Sequence, residues 1–505
     1  MLFNSFTYLV FLPAVVLLHW LLPKSFRKTL LLVASYVFYM HWMPAYGLLI
    51  LALTFVNYLI GLKLPSLNEQ ERKRFLIGGL VFNLGCLCFF KYANFVVDSV
   101  WQSCRFVASA LHLLPAVQPH VVPAFFDLNA SHSPALNILL PLGISFFTFE
   151  FIHYITDVYK GSAPIRNFRD FALFAAFFPS QIAGPIKRFQ DFVKQLDHEN
   201  RFNWNYFNQG LFLIFQGLFK KIVLGDNIGK IVNAGFNNPA GVGTLDAWIA
   251  VAGFTYQIFF DFSGYTDIGR GSALLFGYKV PENFNWPFLA ANLTDFWRRW
   301  HISLSTWLRD YLFIPLGGSR GGAWKTRRNT FTTMVLGGLW HGAAWHYVIW
   351  GAFHGTGLVL SKEWTDFAAR VPALNKLRPH PIWHYGGVLF TTLFLYMAGT
   401  LFRADGLPQA FEMASKLVIP AESGEVTKLL LQSTVPISLA VYFLFLGWQK
   451  LEPRLEETQV QGGAAHALNW MRTSIPLRVV SYASIAIVIM GFAPGEVAPF
   501  IYFQF

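Results

Sequence analysis

Charge is scarce in this 505-residue chain, with only 13% of residues Asp, Glu, Lys or Arg, where soluble domains average about 25%. Together with a hydrophobic content of 54%, that shortage excludes an ordinary soluble domain. Cysteine is nearly missing as well. The three present, Cys86, Cys88 and Cys104, form neither an even disulfide framework nor a CxxC metal pair, so they read as small packing residues. The period-two alternation of a membrane barrel strand is almost entirely lacking. There is no HExxH and no carboxylate triplet, and His341 and His346 stand five apart, off a common helical face, so no metal is expected. Internal repeats, a soluble domain and low-complexity linkers are likewise missing.

What the chain does have is a succession of apolar runs long enough to cross a hydrocarbon core, which takes about 20 helical residues. Helices satisfy their own backbone in lipid. The expected fold is therefore all-α, a polytopic integral membrane helical bundle of about 11–13 crossings plus re-entrant helices, read as one domain over residues 1–505. The net charge of +12 lies in no single stripe, and no nucleic-acid motif accompanies it, so nucleic acid is not an expected partner. Basic residues cluster between apolar runs, at Lys24/Arg27/Lys28, Arg72/Lys73/Arg74, Lys187/Arg188, Lys220/Lys221 and Lys325/Arg327/Arg328. This spacing reads as the positive-inside bias of a chain whose surroundings are membrane lipid.

Taken in order, Phe6–Leu22 has no basic n-region or small-residue cleavage site and reads as an uncleaved span with the N-terminus outside. Leu30–Met43 and Ala45–Leu62 form a hairpin, and Phe75–Val97 crosses outward. The stretch to Ser133 reads as an outside region with some interfacial helix, and its His112, His120 and His132 as solvated. Asn137–Thr156 returns. Phe171–Ile182, flanked by positive charge on both sides, reads as re-entrant or buried, and Tyr206–Phe219 carries the same ambiguity. Ile222–Phe236 and Trp248–Phe260 make two further crossings.

From Asp261 the character changes, and residues 261–355 are the expected catalytic core. Asn292 or Thr294 is placed to cap a helix through DFWRRWH. On that helix Asp295 and Arg299 lie one turn apart, and His301 shares a face with Trp297 and Ser305. Seven Lys or Arg against one acidic residue, Asp310, between Arg298 and Arg328 predict a cytoplasmic loop. Phe331–Trp345 then crosses with His341, and Tyr347–Leu360, His384–Phe402 and Leu429–Trp448 follow, with a mixed-charge loop at 403–427. Val479–Phe492 ends outside with the aromatic tail PFIYFQF.

Ionisable side chains at membrane depth are costly and point to function. His301 and His341 sit in Trp-rich apolar surroundings on either side of the basic loop, and Gly337, Gly338 and Gly342 let a backbone or a thin substrate come close to His341. His346, His354 and His153 read instead as hydrogen-bonded core residues. A neutral imidazole takes a proton from a hydroxyl and returns it, worth roughly 10²–10⁴ in rate, which suits acyl transfer to an alcohol. Gly317-Gly318-Ser319-Arg320-Gly321 matches GxSxG formally, but its loop context makes that an accident. The basic cluster serves topology or lipid headgroups, or docks an anionic acyl donor.

The sequence TYQIFFDFSGYTDIGRGSALLFGY, then NFNWPF, DFWRRWHISLSTWLRDYLFIPLGG and GGLWHGAAWHYVIWGAFHG, resembles the membrane-bound O-acyltransferase family. Within it the chain is similar to the bacterial alginate O-acetyltransferase branch, from FNSFTYLVFLP at one end to APFIYFQF at the other. The resemblance implies a bundle with a funnel or tunnel meeting near the bilayer midplane. It places the family's WHG histidine on His341 and its second polar position on His301. It also implies acetyl transfer from a cytoplasmic donor, acetyl-CoA, across the bacterial inner membrane, with no bound cofactor, to a periplasmic partner acetyltransferase and so to a polysaccharide. The polymer expected is alginate, with cellulose or another exopolysaccharide as the alternative. On this reading Trp297, Trp300, Trp340 and Trp345 line the site, and Arg298, Arg299 and Arg309 steer the donor. The rivals are a polymer or lipid-linked-sugar transporter without chemistry, and a scaffold that recruits a transferase through the 403–427 loop.

Overall fold

The computed structural model describes residues 1–111, 136, 138–182, 184–197, 201–457, 475–492 and 500–501, and every regular element among them is helical. His112, His120 and His132 lie outside the described residues.

The amino-terminal apolar runs are helical, as α1 (Phe6–Leu21), α2 (Lys24–Met40) and α3 (Pro44–Lys63), with the Lys24/Arg27/Lys28 cluster inside the first turns of α2 and not before the helix. Ser5 caps α1, and Pro44, whose missing N–H costs nothing in a first turn, opens α3. α4 (Glu69–Ala110) is longer than expected because a capping box between Asn68 and Glu71 starts it early. At 42 residues it is about 60 Å long, twice the thickness of a hydrocarbon core. Its last turns, as far as Ala110, take up the beginning of the segment that reads from sequence as an outside region. Cys88 and Cys104 are exposed on it.

α5 (Ile144–Tyr159) and α6 (Phe168–Ala176) follow. Phe171, Phe174, Phe177 and Phe178 are fully buried, which agrees with a segment enclosed among other helices. After α7 (Phe189–Asp197), α8 (Trp204–Leu218) passes through a π turn at Phe219–Gly225 into α9 (Asp226–Phe236).

Here the basic clusters depart from their expected role. Lys220 and Lys221 lie inside the protein, Lys220 2.7 Å from Asp267, and Lys221 2.6 Å from Asp226 and 3.0 Å from Asp261. Lys187 is likewise buried, 2.7 Å from Glu150. These lysines are counter-ions of buried carboxylates rather than markers of the cytoplasmic face, because a charge at such depth persists only when paired. Their positive charge therefore says nothing about which way the flanking segments run.

α10 (Thr244–Leu275) runs straight through the point where the sequence changes character. It packs along α8, α9 and α16 (Pro381–Arg403). Contact with α8 is close because glycine faces glycine: a Cβ on Gly217 would lie 2.5 Å from the Gly264 carbonyl oxygen. The remaining elements are α11 (Leu293–Arg299), α12 (Ile302–Leu308), α13 (Ala323–His341), α14 (Trp345–Arg370), α15 (Pro372–Leu377), α17 (Leu407–Lys416), α18 (Glu425–Gln432), α19 (Val435–Glu457) and a last helix, Ile475–Phe492.

Among the described residues, three helices are long and apolar enough to cross a membrane: Pro44–Ser66, Glu69–Ala110 and Pro381–Arg403. The pair Glu425–Gln432 and Val435–Leu444, bent by 55°, makes a fourth if counted as one span. The other apolar runs are shorter, or carry the paired charges and polar residues that face neighbouring helices.

Two residues of the aromatic carboxyl-terminal segment pack against the helices. Phe500 is buried and stacks on Tyr265 at 4.5 Å, and the Ile501 N–H donates to Asp261 Oδ2 at 2.9 Å.

Candidate active site

Local chemistry fixes the approach to His301. Asn292 caps α11 by accepting from the Asp295 N–H at 2.8 Å, and the Arg299 guanidinium donates to Asp295 at 2.9 Å. The helix then stops. Trp300 is extended, and His301 takes a left-handed conformation, φ 41° and ψ 56°. For a residue with a Cβ this conformation is strained and needs outside support.

The support comes from the NFNWPF stretch. The Asn285 N–H donates to Arg299 O, the Ile302 N–H donates to Asn283 O, both at 2.9 Å, and the Ser303 hydroxyl donates to Asn283 Oδ1 at 2.7 Å. The break corrects the expectation of one continuous helix. His301 does not share a helical face with Trp297 and Ser305. Its ring is fully buried edge-on to Phe262 at 4.6 Å, and neither ring nitrogen has a hydrogen-bond partner among the described residues.

His341 is the last residue of α13. Its position depends on a close crossing with α14, where Gly338 and Gly351 pack backbone to backbone, and a Cβ on Gly351 would lie 3.0 Å from the Val335 Cα. Gly342 has no room for a Cβ against the Tyr347 ring. The glycines around His341 thus admit another helix.

The His341 ring lies 5.0 Å from Trp350 and 5.3 Å from Phe402, both edge-on. It lines a cavity of about 60 Å³ walled by Trp300 and by residues of α10, α11, α13, α14 and α16, among them Thr255, Phe296, Trp297, Trp350, His354 and Phe402. A single water takes about 10–15 Å³ by that measure, so the space holds a group of a few heavy atoms.

Of the residues singled out from sequence, His341, Trp297 and Trp300 line this cavity. His301, the residue after Trp300, does not line it, though it lies within electrostatic range of His341. Trp340 is buried beside His341 but points into a stack with Phe149, 5.0 Å away, which itself stacks on Trp307 at 3.9 Å. Trp345 opens α14 instead of closing α13. It is 55% exposed and packs on Phe95 of α4, so the chain turn at Gly342 carries it away from the cavity.

Arg298 is exposed, Arg299 is held by Asp295, and Arg309 donates to Asp310 at 2.7 Å. Burial by itself would raise the Asp310 carboxyl, but hydrogen bonds from Arg309 and Arg188 outweigh it and hold the group below the usual carboxylate range. Asp310 is therefore ionised at neutral pH and neutralises part of the basic loop. Ser319 of the formal GxSxG match sits exposed in a turn among glycines of positive φ, with no strand before it.

His354, which reads from sequence as a hydrogen-bonded core residue, stands on the cavity wall. It is buried, lines the same cavity, and packs its ring 4.5 Å from Trp350 and 5.2 Å from Trp297; its Nδ1 has no hydrogen-bond partner among the described residues. The available signal was its spacing one turn after Trp350, which puts both on one face of α14. His153, by contrast, is a satisfied core residue, accepting from the Phe189 N–H at 3.2 Å.

The family model described as MBOAT, membrane-bound O-acyltransferase family, matches residues 158–402, a span that includes both histidines and the cavity helices. The chain is 42% identical over 419 residues to "Probable alginate O-acetylase AlgI" of Azotobacter vinelandii, covering 82% of this chain and 77% of that protein. It is 36% identical to the protein of the same name in Pseudomonas putida, over the full length of both. It is also 34% identical to "Peptidoglycan O-acetyltransferase" of Helicobacter pylori, over 78% of this chain and 74% of that one. An all-helical architecture with membrane-length apolar helices, a histidine on the wall of a small cavity, and likeness of this extent together assign the chain to the membrane-bound O-acyltransferase family, as an acyltransferase.

Proposed function

We propose that the protein passes acetyl groups from acetyl-CoA on the cytoplasmic face, across the bacterial inner membrane, for O-acetylation of an exported polysaccharide, alginate. A periplasmic partner acetyltransferase completes the transfer, and the N-terminus lies on the periplasmic side. The observation that carries the reading is His341 on the wall of a cavity of about 60 Å³ lined by Trp297, Trp300, Trp350 and Phe402. That volume accommodates a two-carbon acyl group. The names of the relatives quoted above support acetyl as the group and a polymer as its destination.

In the proposed step His341 acts as general base. It takes the proton from an acceptor hydroxyl as the oxygen forms its bond to the acetyl carbonyl carbon. As the C–S bond breaks, the proton passes from the imidazole to the leaving thiolate. General acid–base help of this kind contributes roughly 10²–10⁴ in rate, about 3–5 kcal/mol of barrier. His301, buried against Phe262 and outside the cavity lining, orients His341 or shares protons with it. Arg298 and Arg309, exposed on the loop side, attract the anionic donor.

The test is the ester content of secreted polymer in cells carrying His341→Ala at matched protein level. The expected result is a loss of about 10²-fold or more with polymer secretion unchanged; ester content at the wild-type value would overturn the role. Deletion of the protein separates the classes. Lost secretion would favour a transporter, whereas lost ester with normal secretion fits the acyltransferase. Measuring ester on alginate, cellulose and peptidoglycan in the same cells identifies the acceptor.

A further inference from the structure

The carbonyl end of α13 is where His341 is held, and it lacks the usual means of closure. Helices leave their last four carbonyls without intrahelical donors, and a left-handed residue after the last turn commonly supplies them. Gly342 is extended instead, φ −157°. Donors come from a different part of the chain. On α4, the Lys91 ammonium donates to the Trp340 carbonyl and to the His341 carbonyl, the latter at 3.1 Å, and lies 5.7 Å from the centre of the Trp340 ring. The next residue, Tyr92, donates its hydroxyl to Leu339 O at 2.9 Å. Three consecutive carbonyls ending at His341 are thus held by two consecutive residues of another helix.

We infer that Lys91, assisted by Tyr92, is a positioning residue for the acyl transfer: it caps the carboxyl end of α13 and so fixes the backbone from which the His341 ring projects into the cavity. Three physical facts favour this over a packing role. A cation at a helix carboxyl end is stabilised by the helix dipole. A lysine within an apolar span is costly and persists where it has a partner. An ammonium can serve two adjacent carbonyls together, which an apolar side chain cannot. Lys91 also lies outside the 158–402 region matched by the family model, so the amino-terminal helices contribute directly to the geometry of the site. The inference rests on His341 carrying the chemistry.

The experiment compares Lys91→Met, Lys91→Arg, Tyr92→Phe and His341→Ala at matched protein level, reading polymer ester content in cells. In membrane vesicles the transfer rate is read against acetyl-CoA concentration. A displacement of the base by a fraction of an ångström predicts a loss of at least about tenfold for Lys91→Met, appearing in kcat with KM unchanged. Lys91→Arg, which keeps charge and donors, is expected to recover most of the activity, and Tyr92→Phe to lose about threefold. Wild-type ester content in Lys91→Met overturns the inference. So does equal loss in Met and Arg, which would make Lys91 a packing residue, or a raised KM with kcat kept, which would make it a donor contact. If Lys91→Met fails to accumulate, Tyr92→Phe decides, and unchanged activity there overturns the proposal. Full activity in His341→Ala would sink the reading of the site itself, an outcome separate from all of these.

Discussion

His301 and His341 reach the interior by different local means. One is turned inward by a left-handed backbone conformation, the other stands at the carboxyl end of a helix. His354 completes the set from a helix interior. It lies between Trp350 and Trp297 on the cavity wall, and its Nδ1 has no hydrogen-bond partner among the described residues. His354→Leu stays close to the volume of histidine and removes the ring nitrogens. Ester content is expected to fall about tenfold, the equivalent of 1.4 kcal/mol, at unchanged protein level; full ester content would mean that the residue only fills space. At this scale the sequence is readable where interactions span one turn. The Asn292 cap and the Asp295–Arg299 pair are present as expected, since both depend on residues three or four apart. The directions of Trp340 and Trp345 were not readable, because they follow from where the chain bends at Gly342.

The element that matters most is the pair α13 and α14, which presents His341 and His354 to one cavity. Its closeness depends on glycine at the crossing, so Gly351→Leu forces the helices apart. Such overpacking costs about 1–3 kcal/mol. The thermal midpoint in detergent should drop by several degrees and ester content should fall with it; an unaltered midpoint would show that the crossing tolerates a side chain. The helical segments themselves were largely legible as apolar runs with caps. The break between α11 and α12 was not, because the groups that stabilise it, Asn283 and Asn285, are about 15–20 residues away and belong to a stretch with no periodic signal. The π turn at Phe219–Gly225 was hidden for a similar reason: it brings Lys220 and Lys221 to carboxylates on α9 and α10.

At the scale of the molecule, several buried charges among the described residues are paired, as in Lys187 with Glu150 and Lys220 with Asp267. Lys221 sits between Asp226 and Asp261, and Asp261 also receives the Ile501 N–H, so the carboxyl-terminal segment is attached to the same cluster. Removing one partner leaves the others uncompensated, at about 3–5 kcal/mol for a buried pair. Lys221→Met should therefore sharply reduce folded protein recovered from membranes, and Lys221→Met with Asp261→Asn should recover part of it. Equal recovery of the single and double variants would show that the charges are not coupled.

Composition and apolar periodicity by themselves determined that this is an all-helical membrane protein, and the long motifs around His301 and His341 marked the region of the site. Both signals are local, since hydrophobicity and capping act over a few residues. Only the tertiary structure decided which basic clusters are buried counter-ions, that His354 joins His341 at the cavity while Trp345 leaves it, and that α4 holds the end of α13. Those outcomes depend on which distant groups meet, and the free energy of an unpaired charge or carbonyl is settled by the partner that packing brings to it.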